Sequence, residues 1–220
     1  MKGHYASKLG FWSSVFVALL GVAYLVMLSS FFAIEGFVFP PSQIIQLLGG
    51  IITFLTIPGL LVIFTAIYHT TNGEKKVFGS LGITFITLFA ATVSINRFVQ
   101  LTIIQQSEPG AASLDLARFL PYSTSSVMFA LEMLGWGFFS SMAALAIAPI
   151  FEGNRLSNAL RWLLVSYAIF SFAGVIGFTI QSPITSAAFI AWGPILLVLS
   201  ILLAVYFRQH RRNSENLGKT

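Results

Sequence analysis

Two charged residues stand inside stretches that are otherwise apolar, and they bound the chemistry open to this chain. Arg97 lies in Ser94-Ile95-Asn96-Arg97-Phe98-Val99-Gln100, and Glu132 in Ala130-Leu131-Glu132-Met133-Leu134-Gly135-Trp136. A guanidinium and a carboxylate attract strongly where water is scarce. The amides Asn96 and Gln100, with Gln105 beyond them, offer more donors and acceptors than one such pair uses, and Trp136 could stack on the guanidinium. Such a group could bind a small polar or anionic ligand, hold a phosphate-bearing headgroup, or set water beside a carboxylate. It could equally do no more than lock two helices in register. As a general base Glu132 would need more than its arginine partner, so the chemistry of a lone carboxylate is thin. The candidate ligand-binding residues are Asn96, Arg97, Gln100, Glu132 and Trp136, with no catalytic residue assigned and no cofactor or metal expected.

Other chemistries lack their residues. His4, His69 and His210 fall at or beyond the ends of the apolar runs, so paired axial histidines for a membrane haem are missing. No His-Glu-x-x-His motif and no glycine-rich phosphate loop occurs. No aspartate and no lysine falls within an apolar run, which removes a paired-aspartate protease and a retinal-type Schiff base. The chain has no cysteine, and so no disulfide, thiolate nucleophile or thiolate metal ligand.

The elements that must carry Arg97 and Glu132 are membrane spans. Hydrophobic residues make up 56% of the 220 and charged residues 9%, a balance that no soluble core could cover. Apolar runs of about 20 residues, enough to cross roughly 30 Å of hydrocarbon, recur at 11–34, 43–69, 77–104, 123–151, 160–181 and 185–207. The expectation is an all-α, polytopic six-transmembrane-helix bundle forming a single membrane domain over 1–220. The first run is too long for a signal peptide and is taken as a retained helix. Pro58-Gly59 should kink or loosen the second span, and Trp192-Gly193-Pro194 should break the sixth. Residues 111–120 form an amphipathic pattern suited to a short surface helix. A repeat of three plus three spans finds only short matches, Ser13-Ser14-Val15 with Ser125-Ser126-Val127.

Charge placement sets the orientation. Lys2, Lys8, Lys75, Lys76, Arg155, Arg161, Arg208, Arg211, Arg212 and Lys219 fall on one face of a six-span chain, and Arg118 on the other. Both termini should then be cytoplasmic, and the net charge of +5 belongs to helix ends facing the lipid bilayer rather than to a nucleic-acid site. Trp12, Tyr122 and Trp162 suit interfacial anchors, and Ser171, Gly174, Gly177 and the run from Ser140 to Ala144 suit close helix packing.

Depth and direction bring the two charges together. Arg97 lies about 8 residues before the outer end of span three and Glu132 about 8 after the start of span four, so both sit roughly 12 Å below the outer surface. Side chains tilt toward a helix N-terminus, which aims Arg97 away from the nearer headgroups. Asn96, Arg97 and Gln100 share one face of span three, and Ser125, Met128, Glu132, Gly135, Trp136 and Phe139 share one of span four. A pair within a small polar cavity open to the outer side follows. Tyr24, Gln43, Gln46 and Gln181 are further candidates for its wall.

On 94–100, with its Arg97-Phe98-Val99-Gln100, and on 130–139, the chain resembles uncharacterised prokaryotic six-helix membrane proteins, some with a similar Arg-x-Val-Gln pattern in span three. The resemblance implies a six-helix fold in a plasma (inner) membrane and brings no catalytic assignment. The expected function is a non-enzymatic multi-pass membrane protein binding a small polar or anionic ligand, or a lipid headgroup, for transport or sensing. An intramembrane enzyme acting on a lipid substrate and a structural or accessory membrane subunit are the alternatives.

Overall fold

The structure is a computed structural model that describes residues 2–36, 42–104, 119 and 126–217. The described residues form six helices long and apolar enough to cross a membrane, and contain no strand. We number them α1 (Lys2–Glu35), α2 (Gln43–Thr70), α3 (Lys76–Val99, extended by Gln100–Ile104), α4 (Val127–Ile150), α5 (Arg155–Thr179) and α6 (Pro183–Arg212, continuing to Leu217). The surface helix expected at 111–120 lies outside the described residues, as do Gln105, Arg118, Tyr122 and Ser125.

Each helix packs against its neighbours in sequence, and α6 returns to pack on α1, closing a ring. Local signals set several ends. Ser126 caps α4 by accepting from the Met128 and Phe129 amides at 3.1 and 3.3 Å, and Asn154 caps α5 by accepting from the Ser157 amide at 2.9 Å. Gln181 closes α5 with a positive φ of 55°, while the Ser182 amide donates to the Gly177 carbonyl at 2.8 Å. That cap takes Gln181 away from the bundle interior, where it was expected near the cavity. Its Nε2 donates instead to the Phe178 carbonyl at 2.9 Å.

α2 stays helical through Pro58, whose missing N–H leaves one bond of the ladder unmade. The break expected at Trp192-Gly193-Pro194 takes the form of a π-helical turn over Ala191–Ile195. Pro194 has no N–H to give to the ordinary helical ladder, and the wider turn accommodates the loss.

Apolar side chains are buried along the bundle, Phe89 and Val93 of α3 and Ala188 and Ala191 of α6 among them at 0% exposed. Ile63 and Ile67 of α2, Ile147 of α4, Phe151, Leu160 of α5 and Phe207 of α6 are all at most 1% exposed, and all lie toward one end. At that end Lys75 pairs with Glu152 across two loops. Small residues let backbones approach elsewhere, as the packing of membrane helices requires. A Cβ on Gly135 would lie 2.4 Å from Val93, and one on Gly177 only 2.2 Å from the Thr185 nitrogen. The outward faces carry Leu19, Val26, Ile95, Phe98, Ile169 and Ile176, all exposed, which suits a lipid environment.

Candidate functional site

In the half of the bundle away from Lys75 and Glu152, α3 and α4 bring Arg97 and Glu132 together. Arg97 occupies the last turn of the α-helical part of α3, and Glu132 the last position before the turn of α4 widens. The Arg97 Nη2 donates to Glu132 Oε1 in an ion pair, and the Asn96 Nδ2 donates to Glu132 Oε2 at 2.7 Å. Both carboxylate oxygens are thus engaged by α3. The second Arg97 nitrogen, Nη1, donates to Gln100 Oε1 one turn along the same helix.

This cluster is buried. Asn96 is 2% exposed, Gln100 1%, Glu132 8% and Arg97 9%. Moving two charges out of water costs several kcal/mol per ion, so such a pair persists only when its remaining hydrogen-bonding positions are also met. Here they are met in part. Arg97 Nε, Gln100 Nε2, Trp136 Nε1 and Asn96 Oδ1 are buried without a partner. The surplus is three donors to one acceptor.

Trp136 departs from its expected place. Its ring does not stack on the Arg97 guanidinium; it meets Phe89 edge-on with centroids 4.7 Å apart and lies 6.2 Å from the ring of Trp192. The reason lies one helical turn above Glu132. From Met133 to Phe139, α4 is π-helical, with the Ser140 amide bonded to the Gly135 carbonyl, and this wider turn rotates Trp136 toward the level of Phe89. The Trp136 carbonyl then accepts from Ser140 Oγ and, at 3.1 Å, from Trp192 Nε1, which also donates to Ser171 Oγ at 3.1 Å. Tyr167 joins through a 2.8 Å bond with Ser140. α4, α5 and α6 are therefore tied by a second, well-satisfied polar network.

The four cluster residues and Trp136 line one cavity of about 470 Å³, inside the range of roughly 300 to 1,000 Å³ usual for small-molecule sites. Its walls come from α1, α2, α3, α4 and α6. Among the described residues that line it, Arg97 and Glu132 are the only charged ones. Tyr24 takes part as expected, while Gln43, Gln46 and Gln181 are not in its lining. Gly50 makes room beside Gln100, since a Cβ there would sit 3.1 Å from Leu101 and 3.7 Å from Gln100 Oε1.

All three π-helical segments among the described residues reach this cavity, through Gln100, through Trp136, and through Trp192, Gly193 and Pro194. Such turns are rare and concentrate at functional sites. Sequence alone offered Tyr24 as the one wall residue from α1 and none from α6. The signal for α6 was present in Trp192-Gly193-Pro194, which registers as a helix break without showing what the break faces. No family model matches the chain, and no curated protein or solved structure does either.

Proposed function

We propose that the chain is a non-enzymatic multi-pass membrane protein that binds a polar ligand at the Asn96, Arg97, Gln100 and Glu132 cluster, for transport or sensing. The observation that carries this is the set of four buried polar atoms, three donors and one acceptor, left without partners around one cavity. Each such group costs about 1 to 3 kcal/mol when nothing meets it. A pair that only set helix register would have no use for the surplus. A ligand bearing oxygen acceptors would offset it, once modest side-chain rotation turned the donors toward the cavity. Because Glu132 already neutralises Arg97, a polar head of little net charge suits the site better than a full anion.

The lipid-acting enzyme is less well supported, since Asn96 and Arg97 occupy both Glu132 oxygens where a general base needs one free. We place both termini in the cytoplasm and the protein in a plasma (inner) membrane. The one-sided Lys and Arg distribution supports this, and the Lys75 and Glu152 pair joins two of the loops that this topology assigns to the same side.

Tryptophan fluorescence tests the binding reading. Trp12 and Trp162 are exposed, at 59% and 66%, so a Trp12→Phe/Trp162→Phe protein in lipid nanodiscs reports on Trp136 and Trp192 at the cavity. N-methylacetamide should change the emission saturably, acetate and inorganic phosphate less, and Gln100→Met should weaken the response. A flat response to all three solutes, with an unchanged unfolding midpoint in the charge-swapped Arg97→Glu/Glu132→Arg protein, would leave only the helix lock.

A further inference from the structure

The polar cluster occupies only part of the cavity, and what lines the remainder narrows the ligand. Along α1 the lining runs from Val17 to Phe32, about 22 Å of helix rise, and α2 contributes from Ile45 to Thr56. The cavity is therefore long, parallel to the helices, and walled chiefly by aliphatic and aromatic side chains such as Leu20, Leu28, Ile52, Phe189 and Leu197.

Its other polar residues are Tyr24, Thr53, Thr56 and Trp192, and none of them is without a partner. Thr53 and Thr56 each donate to a carbonyl of their own helix four residues back, Gly49 and Ile52, at 2.8 Å. The Trp192 indole N–H is committed to the Trp136 carbonyl and Ser171. The threonine hydroxyls and the Trp192 indole N–H are thereby committed within the protein. The unmet donors belong to Arg97, Gln100 and Trp136, residues that line the cavity but whose free nitrogens are buried and need a modest side-chain rotation to reach it. With that rotation one wall region asks for oxygen acceptors and the rest asks for hydrocarbon.

We infer that the ligand is an uncharged long-chain amphiphile, with ester or amide oxygens facing Arg97, Gln100 and Trp136 and its hydrocarbon chain lying along α1, α2 and α6. This rests on the binding function proposed above and adds the class of molecule. A small polar solute would leave the apolar length in contact with water, and a hydrocarbon would leave the donors unmet; only a molecule with both parts satisfies both walls. An ionised headgroup would add a third charge to a buried pair that is already neutral.

Photolabelling tests it. A monoacylglycerol carrying a diazirine near the end of its chain is added to the full-length protein in nanodiscs, irradiated, and the labelled residues are read by mass spectrometry. Leu20, Leu28, Ile52 and Leu197 face the cavity, while Leu19, Val26, Ile51 and Val198, on the same three helices, are exposed on the outside. The first set should be labelled and protected by unlabelled monoacylglycerol, with glycerol giving no protection. Labelling of that set should fall about tenfold, ~1.4 kcal/mol, in Arg97→Met/Glu132→Met. Gln100→Met, which keeps the side-chain volume, should lower it if the double variant does not fold. Filling the cavity with Gly49→Trp, or with Ile52→Phe where the tryptophan is not tolerated, should abolish it. A fluorescence response to N-methylacetamide with labelling confined to the outer set would overturn the amphiphile and leave the polar site standing. Cavity labelling that ignores the Arg97/Glu132 and Gln100 substitutions would also overturn it, because the head would then not be recognised. Absence of both signals would remove the amphiphile and the binding function together.

Discussion

Arg97 and Glu132 are worth more to each other than to the fold. Removing one partner of a buried pair strands the other charge, which costs about 3 to 5 kcal/mol, whereas replacing both with apolar residues of similar volume is often neutral or stabilising. Arg97→Met alone should therefore lower the thermal unfolding midpoint in micelles sharply, and Arg97→Met/Glu132→Met should restore it to or above the parent value while losing ligand binding. An unstable double variant would mean that the pair is needed for helix register after all. Much of this site was legible in the residues: one basic and one acidic side chain at equal depth on consecutive antiparallel spans have few other partners, and the structure pairs them. Asn96 and Gln100 followed from helical spacing. Trp136 did not sit as expected, because its direction depends on a π-helical turn that spacing by 100° per residue does not include.

At the scale of elements, close helix approach sets which glycines matter. A methyl at Gly177 would meet the backbone of Thr185 and Ile184, which cannot swing aside, so Gly177→Ala should destabilise by about 1 to 3 kcal/mol, seen as a lower unfolding midpoint. At Gly49 the nearest atoms to a new Cβ lie 3.6 and 3.7 Å away, ordinary contact. Gly49→Ala should be neutral or stabilising by up to roughly 1 kcal/mol through helix propensity. The loops joining α2 to α3 and α4 to α5 carry a pH dependence. The Lys75 ammonium, by hydrogen bond and by charge, and then Arg161 hold the Glu152 carboxyl below its ordinary value. A lowered folded value stabilises above the unfolded pKa and is lost as pH falls through the folded one. The midpoint difference between the parent and Glu152→Gln should accordingly be present at neutral pH and close on acidification below the normal carboxylate range. Both side chains are solvent-accessible, so the effect should be small and weakened by salt.

For the whole molecule, a ring of six helices with its charged pair and cavity in one half fixes a topology that can be read chemically. The chain has no cysteine, so single substitutions report without background. Asn72→Cys and Glu152→Cys should resist a membrane-impermeant maleimide in intact cells and react after permeabilisation, while Ser182→Cys should react in both. Labelling of Asn72→Cys from outside would invert the orientation and turn the cavity toward the cytoplasm.

Composition and run length alone pointed to six apolar helices, and the described residues form six helices long and apolar enough to cross a membrane. Intramembrane charge likewise named Arg97 and Glu132, since each is too costly to face lipid alone. Tertiary structure decided the rest. Nothing in the apolar runs of α1 and α6 distinguishes the side chains that face lipid from those that face the cavity, as both surroundings reward the same residue types. The return of α6 onto α1 and the π-helical turns in α3, α4 and α6 set that choice, and with it they surrounded a pair of charges with an apolar chamber.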